Sequence, residues 1–124
     1  MDPIANMIVA IKNGYLAKKE QAILPYSKFK FEVAKALEKE GFIGKVEKVG
    51  LKLTITLSYH ATRPRLNEIK IVSKPGLRVY SKSKKIMSLK GGRGSYIIST
   101  PKGVMSGKDA KAKNLGGEVV CLAW

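Results

Sequence analysis

Acidic side chains are scarce in this chain: 9 Asp and Glu stand against 24 Lys and Arg, a formal net charge of +15 at pH 7. There is one cysteine, Cys121, which excludes an internal disulfide and a thiolate zinc cluster. There is one histidine, His60, so no second imidazole is available beside it as a metal ligand. No apolar run reaches membrane-spanning length. The start, Met1-Asp2-Pro3-Ile4, has neither the basic flank nor the uninterrupted apolar core of a signal peptide. A soluble, cytoplasmic protein with no membrane contact is therefore expected. Internal repeats and low-complexity tracts are also missing.

Hydrophobic residues are present in quantity. At 44% of the total they read as globular, so the chain need not be a disordered basic tail. A length of 124 residues allows one compact unit or two small subdomains sharing an interface. The charge is unevenly placed: residues 1 to 60 hold 10 basic and 6 acidic side chains, residues 61 to 124 hold 14 and 3, and no acidic residue lies between Glu68 and Asp109. Binding a polyanion relieves such self-repulsion and releases condensed counterions, so nucleic acid is the leading partner. A solvated basic face is the alternative.

The N-terminal half alternates helix and strand signals. Asp2 and Pro3 make a cap and first turn, and Ile4, Met7, Ile8, Ile11 and Tyr15 recur at helical spacing, giving a helix that ends near Gly14 to Ala17. Gln21 to Pro25 is extended. Ser27 then caps a second helix to about Glu40, stopped by Gly41, with Phe29, Val33 and Leu37 as its apolar stripe. Lys28, Lys35 and Lys39 share roughly the opposite face, either solvated or along a phosphate backbone, with solvation preferred for Lys35 and Lys39. Phe42 to Val49 and Leu51 to Ser58 read as strands joined at Gly50, with Leu51, Leu53, Ile55 and Leu57 on one face. Arg63-Pro64-Arg65 breaks the pattern and sets a subdomain boundary near residue 62.

The C-terminal half reads as short strands: Ile69 to Val72, Arg78 to Ser81, a piece near Ile86, Tyr96 to Ser99, and Glu118 to Leu122. Lys74-Pro75-Gly76 and Gly91-Gly92-Arg93-Gly94 are turns between them. Ser106 caps one short helix through Asn114, and Gly116-Gly117 releases the chain into the last strand. The fold class is thus α+β: a helix-strand-helix-hairpin unit over residues 1–62 and a β-rich unit with one short helix over residues 63–124.

Within the most basic stretch, Ser99-Thr100-Pro101-Lys102-Gly103-Val104-Met105 puts hydroxyls, a stiffened turn and a lysine together. Ser and Thr hydroxyls bond phosphate or ribose, Pro101 stiffens the turn, Lys102 supplies charge and Gly103 lets a partner approach the backbone. Alone, such residues also make ordinary turns.

Several separated segments, in order, carry a resemblance: Asp2-Pro3-Ile4-Ala5, Gly41-Phe42-Ile43, Ser73-Lys74-Pro75-Gly76-Leu77-Arg78-Val79-Tyr80, Ser99 to Met105, and Gly116-Gly117-Glu118 followed by Cys121. Over the whole chain they resemble small-subunit ribosomal protein eight in its bacterial or organellar form. The resemblance implies two packed subdomains bound to a helix in the central domain of small-subunit ribosomal RNA, as an early assembly protein beside other ribosomal proteins. It also implies repression of the protein's own operon by binding a look-alike structure on that messenger RNA. The loop of Ser99, Thr100, Pro101, Lys102 and Gly103 is then expected on the minor-groove side of the RNA helix. Tyr80 is expected near the RNA, stacking on a base or sugar, although a tyrosine at a strand end also serves as core. Gly117 and Glu118 complete the main site. Glu118 either accepts hydrogen bonds from base amino groups or ribose hydroxyls or simply pairs with a nearby lysine. Ser27, Lys28 and Lys30 form a secondary contact. No cofactor or metal is implied.

The chain departs from the family pattern in places. Gly91-Gly92-Arg93-Gly94-Ser95-Tyr96 is more polar and bulkier than usual, Gly107 stands where an acidic residue is common, and Lys108, Lys111 and Lys113 make the short helix unusually basic. The hairpin at Gly50 is short.

An enzyme fares poorly as a reading. Gly91-Gly92-Arg93-Gly94 lacks a following Gly-Lys-Ser/Thr and the dinucleotide spacing. His60 has no visible nucleophile or second ligand, Asp109 and Glu118 are too isolated for a metal site, and Cys121 in an apolar strand reads as a small buried hydrophobe. The remaining competitor is a generic basic nucleic-acid-binding protein that uses the same lysines without reading RNA shape.

Overall fold

Ile4, Met7, Ile8, Ile11 and Tyr15 all fall on the buried face of helix α1 (Pro3–Leu16), as their spacing predicts. The computed structural model describes residues 3–82 and 94–124; the Asp2 cap, the strand near Ile86 and the Gly91-Gly92-Arg93 part of the glycine turn lie outside them. Strand β1 (Gln21–Pro25) follows, alternating exposed and buried residues. Helix α2 (Lys28–Lys39) is capped by Ser27, whose hydroxyl oxygen accepts from the Lys30 N–H at 3.2 Å. Its apolar stripe differs from expectation. Phe29 is exposed, while Lys30 is buried with Val33, Ala34, Ala36 and Leu37. At 100° per residue Lys30 lies between Val33 and Ala34 on the helix surface, close to Leu37, whereas Phe29 lies at the margin in the first turn.

Strands β2 (Val46–Val49) and β3 (Lys52–Thr56) form a hairpin around Gly50, which takes φ +60. Leu53, Ile55 and Leu57 are buried, but Leu51 sits on the turn and is 86% exposed. Phe42 and Ile43 are buried without being strand: they fill the core between α2 and β2. The order β1-β3-β2 makes an antiparallel three-stranded sheet. Where a plain chain break was expected, β4 (Tyr59–His60) and β5 (Arg63–Pro64) form a small ribbon turned by Ala61 at φ +57.

The second sheet contains β6 (Ile69–Ile71), β7 (Tyr80–Ser81), β8 (Ser95–Thr100), β9 (Gly103–Ser106) and β10 (Gly117–Ala123), with β10 between β8 on one side and β6 and β7 on the other. Strand β7 is shorter than expected because Lys74 and Leu77 bridge across a tight turn and the Ser73 hydroxyl captures both the N–H and the carbonyl of Val79. Strand β9 was expected as loop; Val104 and Met105 instead continue the ladder with β8. Helix α3 (Gly107–Ala112) is capped by Ser106, as read from the sequence.

One buried cluster joins both halves: Met7, Ile11, Val33, Leu37, Leu53 and Ile55 pack in continuity with Ile69, Ile97, Val120 and Cys121. Each such side chain contributes about 1.5–3 kcal/mol by leaving water. The Tyr15 hydroxyl stitches this core, donating to the Phe42 carbonyl at 2.9 Å and accepting from the Ser58 N–H at 3.1 Å, while burial pushes its phenol up. A smaller cluster of Ile98, Ala110 and Val119 fixes α3 on the second sheet's other face. Among the described residues no helix is long and apolar enough to cross a membrane.

Candidate nucleic-acid interface

The Ser99 to Met105 stretch is the tip of an antiparallel hairpin, with Ser99 opposite Val104 and Thr100 opposite Gly103. Thr100 is buried. Its Oγ1 donates to the Gly103 carbonyl at 2.7 Å and accepts from the Lys102 N–H at 3.2 Å. The hydroxyl proton and one lone pair are therefore spent on the turn, so in this arrangement Thr100 has no proton to give a phosphate and keeps one lone pair for a donor such as a ribose hydroxyl. Pro101 and Lys102 are exposed and form the outward face of the tip. Gly103 takes φ +121, a conformation side chains rarely adopt, which lets the chain re-enter the ladder at Val104.

Beside the tip, strand register assembles a row. Tyr80 on β7 and Ser99 on β8 are both opposite Glu118 on β10, so the three side chains lie on the same face of the sheet. They line a groove of about 780 Å³ together with Ser81, Lys82, Pro101, Gly116 and Gly117. Tyr80 is 70% exposed, so it stands as a ring platform and not as core. Gly117 is fixed by close approach: a Cβ there would lie 2.0 Å from the Ser99 carbonyl oxygen. Only glycine lets β10 start this near β8, and that start sets Glu118 opposite Ser99.

Glu118 pairs with an arginine, not a lysine: Nη1 of Arg78 donates to its Oε2 at 3.4 Å. A second cavity of about 220 Å³, lined by Ser27, Phe29, Ser73, Arg78, Glu118 and others, lies against this pair. Ser27 and Phe29 thus bring the N-terminus of α2 to the cavity that shares Glu118 with the groove; Lys28, between them in the chain, is exposed but lines neither cavity. Lys30 does not join them, because it is buried on the core side of α2.

The surrounding electrostatics are mixed. Oε1 of Glu32 is 3.8 Å from where a Cβ on Gly103 would stand, placing a carboxylate against the basic tip. Lys39 and Asp109 pair at 2.7 Å, linking α2 to α3. That hydrogen bond holds the Asp109 carboxyl below its ordinary range and raises the Lys39 ammonium. Burial pushes the Cys121 thiol up to about 12, leaving it a small hydrophobe. His60 is exposed on β4, across from Arg63.

Sequence reasoning did not single out Arg78, Ser73 or Glu32 as site residues. Arg78 and Ser73 stood inside the quoted Ser73 to Tyr80 segment, and their spacing from Tyr80 was the available signal. Glu32 reaches the tip only through the packing of α2 beside β9, which no local pattern encodes.

A family model described as Ribosomal protein S8 matches residues 2–124 of the chain. The small ribosomal subunit protein uS8 of Caldanaerobacter subterraneus subsp. tengcongensis is 45% identical over 128 residues, covering 99% of this chain and 97% of its own length. Those of Burkholderia lata and Vibrio cholerae are each 44% identical, covering 97% of this chain and 95% of their own length.

Proposed function

The chain belongs to the ribosomal protein S8 family of small-subunit ribosomal proteins, and on that premise we propose that it binds the central domain of small-subunit ribosomal RNA directly and supports subunit assembly. Residues 63–124 act as the RNA-binding subdomain, and residues 1–62 support it and add the contact at Ser27 and Lys28. The row of Tyr80, Glu118 and Ser99 beside the Thr100 to Gly103 tip carries this reading. A generic polyanion binder needs lysines alone; this groove presents an aromatic ring, a hydroxyl and a carboxylate. Those groups suit stacking and hydrogen bonds to bases and ribose at an irregular RNA surface. The exposed tip enters the minor-groove side, where 2′-hydroxyls are displayed. The same surface serves for repression if the protein's own messenger RNA presents a similar shape.

The test is a titration against a central-domain fragment and a length-matched random stem at two salt concentrations. Preference for the ribosomal fragment that survives high salt is expected. Equal binding to both, erased by salt, would mean the charge alone is at work.

A further inference from the structure

We propose that Lys39, Lys108, Lys111 and Lys113 form a second phosphate-binding ridge, which holds a segment of RNA other than the one seated in the groove; this rests on the RNA-binding reading above. Ala110 is buried against Ile98 and Val119, so α3 packs on one face of the second sheet. Ser99 and Glu118 are the neighbours of Ile98 and Val119 in their strands and therefore point to the opposite face, where the groove lies. The α3 lysines therefore lie on the side of the sheet away from the groove, and Lys39 joins them from the end of α2, which packs beside the edge strand β9. A single helix lying in the groove leaves the ridge uncovered.

The ridge is assembled by a tertiary contact. Lys39 comes from the end of α2 and reaches Asp109 at 2.7 Å, which sets it among the three lysines of α3 and its cap. Asp109 is the only carboxylate on α3, and Lys39, Lys113 and Lys108 all lower its pKa, which places them within electrostatic reach of one point. Lys39, Lys108, Lys111 and Lys113 are all exposed. The occupant is nucleic acid and not protein, because the cores of protein interfaces are depleted in lysine and favour aromatic anchors, and α3 has none. Lysines spaced along a ridge supply point charges to a phosphate chain.

The experiment loads the wild-type protein with unlabelled central-domain stem and then titrates in a fluorescent random RNA duplex at low and moderate salt. The loaded protein is expected to bind the duplex in this second step, with an affinity that falls steeply with salt. The triple variant Lys108→Ala, Lys111→Ala, Lys113→Ala should lose about tenfold or more in the second step while its stem affinity stays within about twofold. The unchanged first step also certifies that the variant is folded. No second-step binding by the wild type would overturn the proposal, as would a variant equal to wild type or one that loses stem affinity to the same degree. Stronger binding of oligoglutamate than of duplex at matched charge would overturn it in favour of an acidic protein segment. If the first step shows no preference for the stem over a random one, the ribosomal-RNA reading fails separately. The ridge is then judged by whether wild type binds two duplexes where the triple variant binds one.

Discussion

The guanidinium of Arg78 lies 3.4 Å from the carboxylate of Glu118, at the point where the groove and the smaller cavity meet. A bare carboxylate at an RNA surface repels phosphate, and this pairing removes that repulsion from the free protein. Both side chains are partly exposed, 49% and 25%, so the bond is weak and easily exchanged. On the RNA-binding role proposed above, Arg78 would turn to a phosphate while Glu118 accepts from a base amino group or a ribose hydroxyl. In the free protein the two side chains neutralise each other.

Glu118→Ala should therefore weaken binding to the central-domain fragment by about tenfold or more and binding to a random duplex by less than about threefold. Arg78→Ala should weaken both and flatten the salt dependence by about one unit of slope. Titrations of each variant on both RNAs separate these patterns. Equal losses from Glu118→Ala on the two RNAs would remove Glu118 from specific recognition.

Thr100 tests whether the tip works by shape. Thr100→Ser keeps the hydroxyl that bonds the Gly103 carbonyl and the Lys102 N–H, and should bind RNA within about threefold of wild type. Thr100→Val keeps the size and loses both bonds. It should cost about 1–3 kcal/mol of stability and most of the preference for the cognate fragment. Denaturant unfolding and the two-RNA titration read these outcomes; a valine variant with intact preference would show that the turn does not need the hydroxyl.

How far the sequence foretold this follows from what is local. Helical spacing in α1, the Ser27 and Ser106 caps, and the Gly50 turn are set by near neighbours, and each was readable. Leu51 and Phe29 were misplaced because an apolar residue carries no mark of lying at a turn or a helix margin. The Ser99 to Met105 segment looked like loop because Pro101 and Gly103 dominate it, yet cross-strand pairing extends to Val104 and Met105. The Tyr80, Glu118 and Ser99 row is a matter of strand register between segments far apart in the chain. Ser99 was named from its hydroxyl-rich basic motif, and Tyr80 and Glu118 through the family resemblance; periodicity alone would have missed the row.

Acid should loosen the joint between the two halves. Lys12 pairs with Glu68 at 2.6 Å and Lys39 with Asp109 at 2.7 Å, and each pair links an N-terminal helix to the C-terminal half. The lysine partner holds each carboxyl below its ordinary value. A carboxyl depressed in the folded state stabilises the fold above its unfolded pKa, and the stabilisation is lost as pH falls through the folded value. Stability should therefore be level near neutrality and fall below the ordinary carboxylate range. Asp109→Asn should be less stable than wild type near neutral pH, with a shallower acid decline. Thermal unfolding across pH, at low salt, gives both numbers; an identical acid profile for Asp109→Asn would mean that this pair adds nothing.

Two glycines beside the tip should fail for different reasons, and the difference tests the geometry of the site. At Gly117 an added Cβ would meet the Ser99 carbonyl at 2.0 Å, a backbone atom that cannot swing aside. Gly117→Ala must push β10 away from β8, costing about 3 kcal/mol or more and displacing Glu118 from Ser99. At Gly103 the neighbourhood is open, with only Oε1 of Glu32 at 3.8 Å, but φ is +121. Gly103→Ala should cost about 1–3 kcal/mol through backbone strain, with the groove itself undisturbed. Thermal melts rank the two, and RNA titration at a temperature where both remain folded separates them. Gly117→Ala should lose discrimination between cognate and random RNA, whereas Gly103→Ala should keep part of it. If Gly117→Ala binds the cognate fragment like wild type, the juxtaposition of Glu118 and Ser99 is not what reads the RNA.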